Sequence, residues 1–228
     1  MSKDEWFRRK SWSRADEEQF LARLGRSRSV GNKSQYAMIQ AMTLREHGLI
    51  EPAIVLLNRV IDEWPDRLHL ASAHLELAEC YGDLQQSDRA IHHYRESLAA
   101  EEAFPNVLTQ AWLLFPWFIL SHEFTQHFEE AEKVILDREG TRRRDLPIEI
   151  YRWAAAKALF SDHREDQSSA EHFALIAWDA AQKSHSGYRY HPDIGLVRNT
   201  QSGIHQRIAM LAGGQVSLFS RVLGWLRG

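Results

Sequence analysis

"ELAECYGDLQQSDRAIHHYRESL", Glu76 to Leu98, is the stretch that decides the fold. Leu77, Ala78 and Tyr81 stand at i, i+1 and i+4, one face of a helix. "GDLQQSD" then supplies turn residues, and Ser87 or Asp88 is expected to cap a second helix. That helix carries Ala90, Ile91, Tyr94 and Leu98 on one face. A connection this short makes the two helices antiparallel neighbours. Ala78 and Ala90, twelve residues apart, are the expected contact points. A methyl side chain on each helix lets the axes approach within about 8–10 Å.

The same frame recurs along the chain. Ala41 and Ala53 repeat the spacing of twelve, with Leu44 and Leu57 standing for the two tyrosines. Gly48 falls in the turn, Pro52 stands where the first residue of the second helix is expected, a position that tolerates its missing N–H, and Pro65 ends the unit. Ala158 and Ala170 repeat it again, flanked by Ala154 and Ala174. Ile119 and Ala131, with Phe128 and Ile135, form a weaker copy that has Pro116 inside its first helix. Successive second alanines are 37, 41 and 39 residues apart, a period that marks an array of helical repeats.

This pattern resembles the tetratricopeptide repeat (TPR). Tyr36 to Pro65 and Ala73 to Phe104 match its signature best, and Ala154 to Trp178 in part, together a little under half the chain. The resemblance implies an all-α, right-handed superhelical solenoid of antiparallel helix pairs. The period is longer than the family's usual one and most turns lack glycine. Asp66 is expected to cap one long helix, Arg67 to Leu84, that absorbs the extra residues. Residues 35–183 are read as the repeats, and 1–34 as an N-terminal capping segment whose helix starts at Ser13 and buries Phe20, Leu21 and Leu24. Residues 184–228 are read as a loop followed by C-terminal helices packed on the array. Ile204, Ile208 and Leu211 form one face there, and Leu218, Phe219, Val222, Leu223, Trp225 and Leu226 a wider stripe.

Bulk properties narrow the function. The 228 residues are 44% hydrophobic, enough to bury a core. A net charge of −3 argues against a general nucleic-acid binder. The basic runs "RLGRSRS" (Arg23 to Ser29) and "TRRRD" (Thr141 to Asp145) lack interleaved aromatics for base stacking. The charge is uneven: +4 over residues 1–44, −11 over 45–139 and +4 over 140–228. An acidic middle attracts a basic partner. It also permits self-association, as does docking of the C-terminal helix on a second copy. One cysteine, Cys80, excludes an internal disulfide and fits a reducing compartment. The charged start "MSKDEWFRRK" has no secretory signal, and the longest apolar run, "AWLLFPWFIL", is ten residues, too few to span a membrane. A cytoplasmic protein is expected.

The resemblance places a ligand on the concave face lined by first helices. By register the partner-binding candidates are Met38, Met42, Arg45 and Glu46, then Leu75, Glu79 and Asp83, then Glu123, Phe124, Arg152 and Asp162. They combine apolar anchors with an acidic bias. The lysine and asparagine clamp that some such repeats use for a chaperone's C-terminal carboxylate is missing, since Met38, Met42, Leu75 and Glu79 stand in its places. "HEFTQH" (His122 to His127) has the wrong spacing for a zinc-protease pair, and "GGQVS" is no phosphate loop. No catalytic residue, metal or cofactor is expected. The chain reads as a protein-binding adaptor or inhibitor. The alternative is an enzyme or small-ligand protein using Tyr188, Tyr190, His191 and Asp193 of the loop "SHSGYRYHPDIGLVRN", with nearby histidines.

Overall fold

The computed structural model describes residues 5–198 and 202–213. These are helices and connections, with no strand among the described residues. In chain order the helices are α1 (Arg14–Leu24), α2 (Val30–Glu46), α3 (Ile50–Asp62), α4 (Leu70–Asp83), α5 (Ser87–Ala103), α6 (Ala111–Ser121), α7 (Phe128–Arg138), α8 (Pro147–His163) and α9 (Gln167–Ala181). A 3-10 turn, Thr125–His127, precedes α7, and α10 covers residues 203–213. None of the described helices is long and apolar enough to cross a membrane. The chain divides into two compact units, Met1–Ala111 and Trp112–Gly228.

In the first unit α2 packs on α3 and α4 on α5, and α3 packs on α4 to join the two pairs. Ala41, Ala53, Ala78 and Ala90 are all fully buried, with Leu44, Leu57, Leu77 and Tyr94 beside them. An added methylene at any of these alanines would have to push helices apart, which typically costs 1–3 kcal/mol. In the second unit α8 packs on α9, and α7 on α8. The seam between α8 and α9 is almost wholly alanine: Ala154, Ala155, Ala158, Ala170, Ala174 and Ala177 are all buried.

The hairpin turns share one geometry that the amino acids alone do not advertise. Each first helix ends with a residue at positive φ: Gly48 at 76°, Gln85 at 58°, Glu123 at 54° and Glu165 at 61°. The next N–H donates back to the carbonyl five residues earlier. These bonds are Leu49 to Leu44 at 2.9 Å, Gln86 to Tyr81 at 2.8 Å, Phe124 to Ile119 at 3.1 Å and Asp166 to Ser161 at 2.9 Å. This is the Schellman closure, which satisfies carbonyls left over at a helix end. Three of the four turns hold it without glycine, at a cost in each of about 1 kcal/mol of left-handed strain.

Helix starts depart from the sequence reading in three places. Neither Ser87 nor Asp88 caps α5: the cap position is Gln86, and its side chain makes no capping bond. The Schellman closure takes Gln86's backbone N–H and brings the chain into helix one residue early. Likewise α4 does not run from Arg67 to Leu84. Asp66 accepts a bond from Leu68 N and closes a separate turn, so the helix begins at Leu70 with His69 as its cap and ends at Asp83. Pro52 is the third residue of α3 rather than the first, because the helix starts two residues earlier at Ile50, but it is still within the first turn, where a missing N–H costs nothing.

The N-terminal end follows the sequence reading. Ser13 and Asp16 form a capping box, with Ser13 Oγ accepting from Asp16 N and Asp16 Oδ2 from Ser13 N. Phe20 and Leu24 are buried and Leu21 is half-buried. The preceding segment is strapped to α2 by Gln40, which is fully buried. Its amide accepts from Arg9 N at 2.9 Å and donates to Arg9 O at 2.8 Å. Trp6 packs at a tilt between Phe20 and Tyr36, its ring centre 5.2 Å from each.

In the second unit Pro116 lies inside α6 and is buried. Trp117 on α6 meets Tyr151 on α8, and Phe128 meets Phe160. The 184–198 segment is tied down by Ser186, whose N and Oγ donate to Pro192 O and His191 O, and by Ile148 N donating to Gly195 O. Gly195 has φ 64°, and a Cβ there would fall 2.7 Å from Leu146 Cβ, so only glycine fits. The loop delivers α10, whose buried His205 lies against Tyr151 and stacks on Trp178. The apolar stripe at residues 218–226 lies outside the described residues.

The shared turn predicts opposite effects of glycine. Gln85→Gly and Glu165→Gly relieve left-handed strain, and each should stabilise the protein by roughly 0.5–1 kcal/mol in urea unfolding. Gly48→Ala, which has open space around its Cβ, should destabilise it by a similar amount.

Candidate functional site

Arg45, near the C-terminal end of α2, reaches across to α4 and meets three carboxylates. Its Nε donates to Asp83 Oδ2 at 2.8 Å and Nη2 to Glu79 Oε2 at 3.3 Å, while Nη1 lies 3.6 Å from Glu76 Oε2. Glu76, Glu79 and Asp83 stand at i, i+3 and i+7, one stripe of α4. Glu79 is shared: its second oxygen accepts from the hydroxyl of Tyr94 on α5. The site is therefore braced by three helices. Met42, Arg45, Glu46, Glu76 and Asp83 line a recess of about 300 Å³ above it.

The charges do not balance. One guanidinium faces Glu76, Glu79 and Asp83, and Glu46 adds a fourth carboxylate at the rim. Burial works against the charge on Arg45, but the bond to Asp83 and the charges of Glu79, Asp83 and Glu76 outweigh it and raise its pKa. Burial pushes the Glu76 carboxyl above the usual range, with Arg45 opposing and Glu79 and Glu46 adding to the rise. Cys80, buried behind the cluster, is pushed by burial up to about 12 and stays a thiol.

The residues proposed from register separate into groups. Met42, Arg45, Glu46, Glu79 and Asp83 come together. Met42 is exposed at the recess, whereas Met38, one turn earlier, is buried in the core face of α2. Leu75 is half-buried on α4. Glu123 and Arg152 belong to the second unit, where they line a cavity of about 480 Å³ with Trp117, Phe128, Tyr151 and Arg207. Arg152 lies over Trp117 at 5.8 Å, and Arg207 pairs with Asp162 at 2.6 Å. Phe124 stacks on His122. Register did not single out Glu76 or Tyr94 for the site. An apolar-face reading assigned Tyr94 to the core and missed its hydroxyl.

The four loop candidates, Tyr188, Tyr190, His191 and Asp193, are all exposed. His191 donates its backbone N–H to Tyr188 O, and Arg189 lies over Tyr190. Hydrogen bonds of Ser186, Gly187 and Tyr188 within the loop hold its own shape. Among the described residues no group of three or more His, Cys, Asp or Glu is placed to hold a metal ion. In the basic run, Arg144 donates to Glu139 O and lies 4.3 Å from the Trp153 ring centre, so it is a packing element.

Removing the central cation should expose the repulsion it hides. Arg45→Met, similar in volume, should cost roughly 2 kcal/mol at pH 7.5. Without Arg45, Glu76 loses the cation that opposes its upward shift, so its folded-state carboxyl lies further above its unfolded value. The folded state then binds more protons, so the deficit relative to wild type should shrink as pH falls from 7 to 5. Adding Glu79→Gln should recover part of it. Urea titrations at each pH check this, and a pH-independent deficit would show that the repulsion is absent.

Compared with models of protein families, with curated proteins and with solved structures, the chain matches none.

Proposed function

We propose that this chain is a non-catalytic, TPR-like interaction module, of adaptor or inhibitor type, that binds a cationic segment of a partner protein in the recess around Arg45. The observation that carries the reading is the surplus of carboxylates: four around one guanidinium, beside an exposed methionine. A lysine or arginine entering the recess would meet charges already gathered and partly desolvated, with Met42 as an adaptable apolar contact. Support for TPR-like pairing comes from the buried alanines twelve apart and from α2, α4 and α8, the first helices of their hairpins, each closing on the same turn. Within the first unit α2 and α4 touch directly, as neighbouring first helices of such repeats do. A cytoplasmic location is part of the same reading, resting on the single buried cysteine.

The test uses a defined probe. A two-turn peptide alternating arginine and leucine, and its glutamate counterpart, are titrated by fluorescence anisotropy. The arginine peptide should bind preferentially, and roughly tenfold more weakly at 0.5 M than at 0.05 M salt. The double variant Glu46→Lys/Asp83→Lys should lose about tenfold in affinity while keeping its helical circular dichroism. Equal binding of the arginine peptide by variant and wild type would remove the recess as the site.

A further inference from the structure

The helix pair quoted at the outset contains a second cluster that the proposed site does not use. His74 of α4 and His93 of α5 face each other with their Nδ1 atoms 3.1 Å apart. Their rings stack at 5.4 Å, Tyr81 lies almost parallel to His93 at 5.3 Å, and Arg89 sits over Tyr81. Both histidines are half-buried, at the interface of the two helices.

We propose that the His74–His93 contact is an acid-sensitive latch, which holds α4 against α5 while both imidazoles are neutral and releases the pair when they take up protons. The geometry sets the sign. At 3.1 Å one Nδ1 must donate and the other must accept, so the contact exists only while one ring keeps a bare nitrogen. One proton leaves a single cation and one ring with a bare nitrogen, which can still share the contact; the second proton removes the last acceptor and sets two cations against each other in a partly desolvated place. Burial holds the His74 pKa down, with His92 assisting and Glu96 opposing. Burial also pushes His93 down to about 4, and His74, His92 and Arg89 add to the shift. These charged neighbours all come from α4 and α5.

The unfolded chain takes up protons near the ordinary value of 6.5 and the folded one only lower, so the unfolded state binds more protons in between. Stability from the latch is therefore present above pH 6.5 and is lost as pH falls toward 4. For each imidazole the folded-to-unfolded ratio drops by up to about tenfold per pH unit across that window. Helix α4 also carries the carboxylates that meet Arg45, and Tyr94 follows His93 in the chain. Opening the latch disturbs the recess, but the latch itself does not depend on that recess binding anything.

Two measurements decide it. In histidine-labelled wild-type protein, the signals lost in His74→Asn and His93→Asn identify the two imidazoles. Both should titrate below the ordinary value of 6.5, His93 near 4 or only as the protein unfolds. Urea midpoints between pH 7.5 and 4.5 should fall less steeply for His93→Phe than for wild type. Titration of both rings near 6.5, or an unchanged pH slope in a folded His93→Phe protein, overturns the latch. If that variant fails to fold, the wild-type titration alone is decisive.

Discussion

The close approach of paired helices at alanine is the constraint on which the first unit depends. Ala41 with Ala53, and Ala78 with Ala90, put nothing larger than a methyl group at these points of the seam. The larger residues must then pack beside the seam, and they do: Leu44, Leu57, Leu77 and Tyr94 are buried there. With so little dispersion energy in an alanine, the pairs rely on flanking rings and on turns that return the chain at one angle. The Schellman closure supplies that angle. Three of its four instances tolerate a side chain at positive φ, which is strain accepted in return for register.

Register in turn builds the recess. A shift of 37 residues carries Met42 onto Glu79 and Glu46 onto Asp83, so the acidic stripe of α4 stands beside its own repeat equivalents on α2. Arg45 maps onto Gly82. The guanidinium reaches across to Glu76, Glu79 and Asp83 of the next first helix. Tyr94 closes the arrangement from α5: the ring that fills space beside the alanine seam also donates to Glu79. One residue serves both packing and electrostatics, so the recess is only as well placed as the helix pair beneath it.

Periodicity made the helix pairs legible, because the alanine spacing and the apolar faces are properties of residue type at fixed intervals. The capping box at Ser13 was legible for the same reason, being local and chemically specific. What escaped was whatever depends on backbone competition or on two distant side chains. Gln85, Glu123 and Glu165 carry no signature of positive φ, since the closing hydrogen bonds, rather than the residue, select it. Asp66 spends its carboxylate on a turn instead of a helix cap because the backbone of Leu68 is nearer. Glu76 joined the recess through the rotation of α4, which register fixes only to within a residue. The pairing of His74 with His93, nineteen apart, needs the crossing geometry of two helices and cannot be read from either one.

Structural need alone does not account for the carboxylates at Arg45. A single well-aligned partner, such as Asp83 at 2.8 Å, satisfies the guanidinium's geometry. Each further carboxylate adds attraction to Arg45 but also repels the others. The Glu76 carboxyl is held above the usual range chiefly by burial, with Arg45 opposing and Glu79 and Glu46 adding to the rise. A stripe selected for stability would place a neutral residue there, since replacing imperfectly compensated buried charge with apolar groups is often stabilising. The cluster instead keeps a negative excess at an open recess, and an incoming cation would turn that excess from a cost into binding energy.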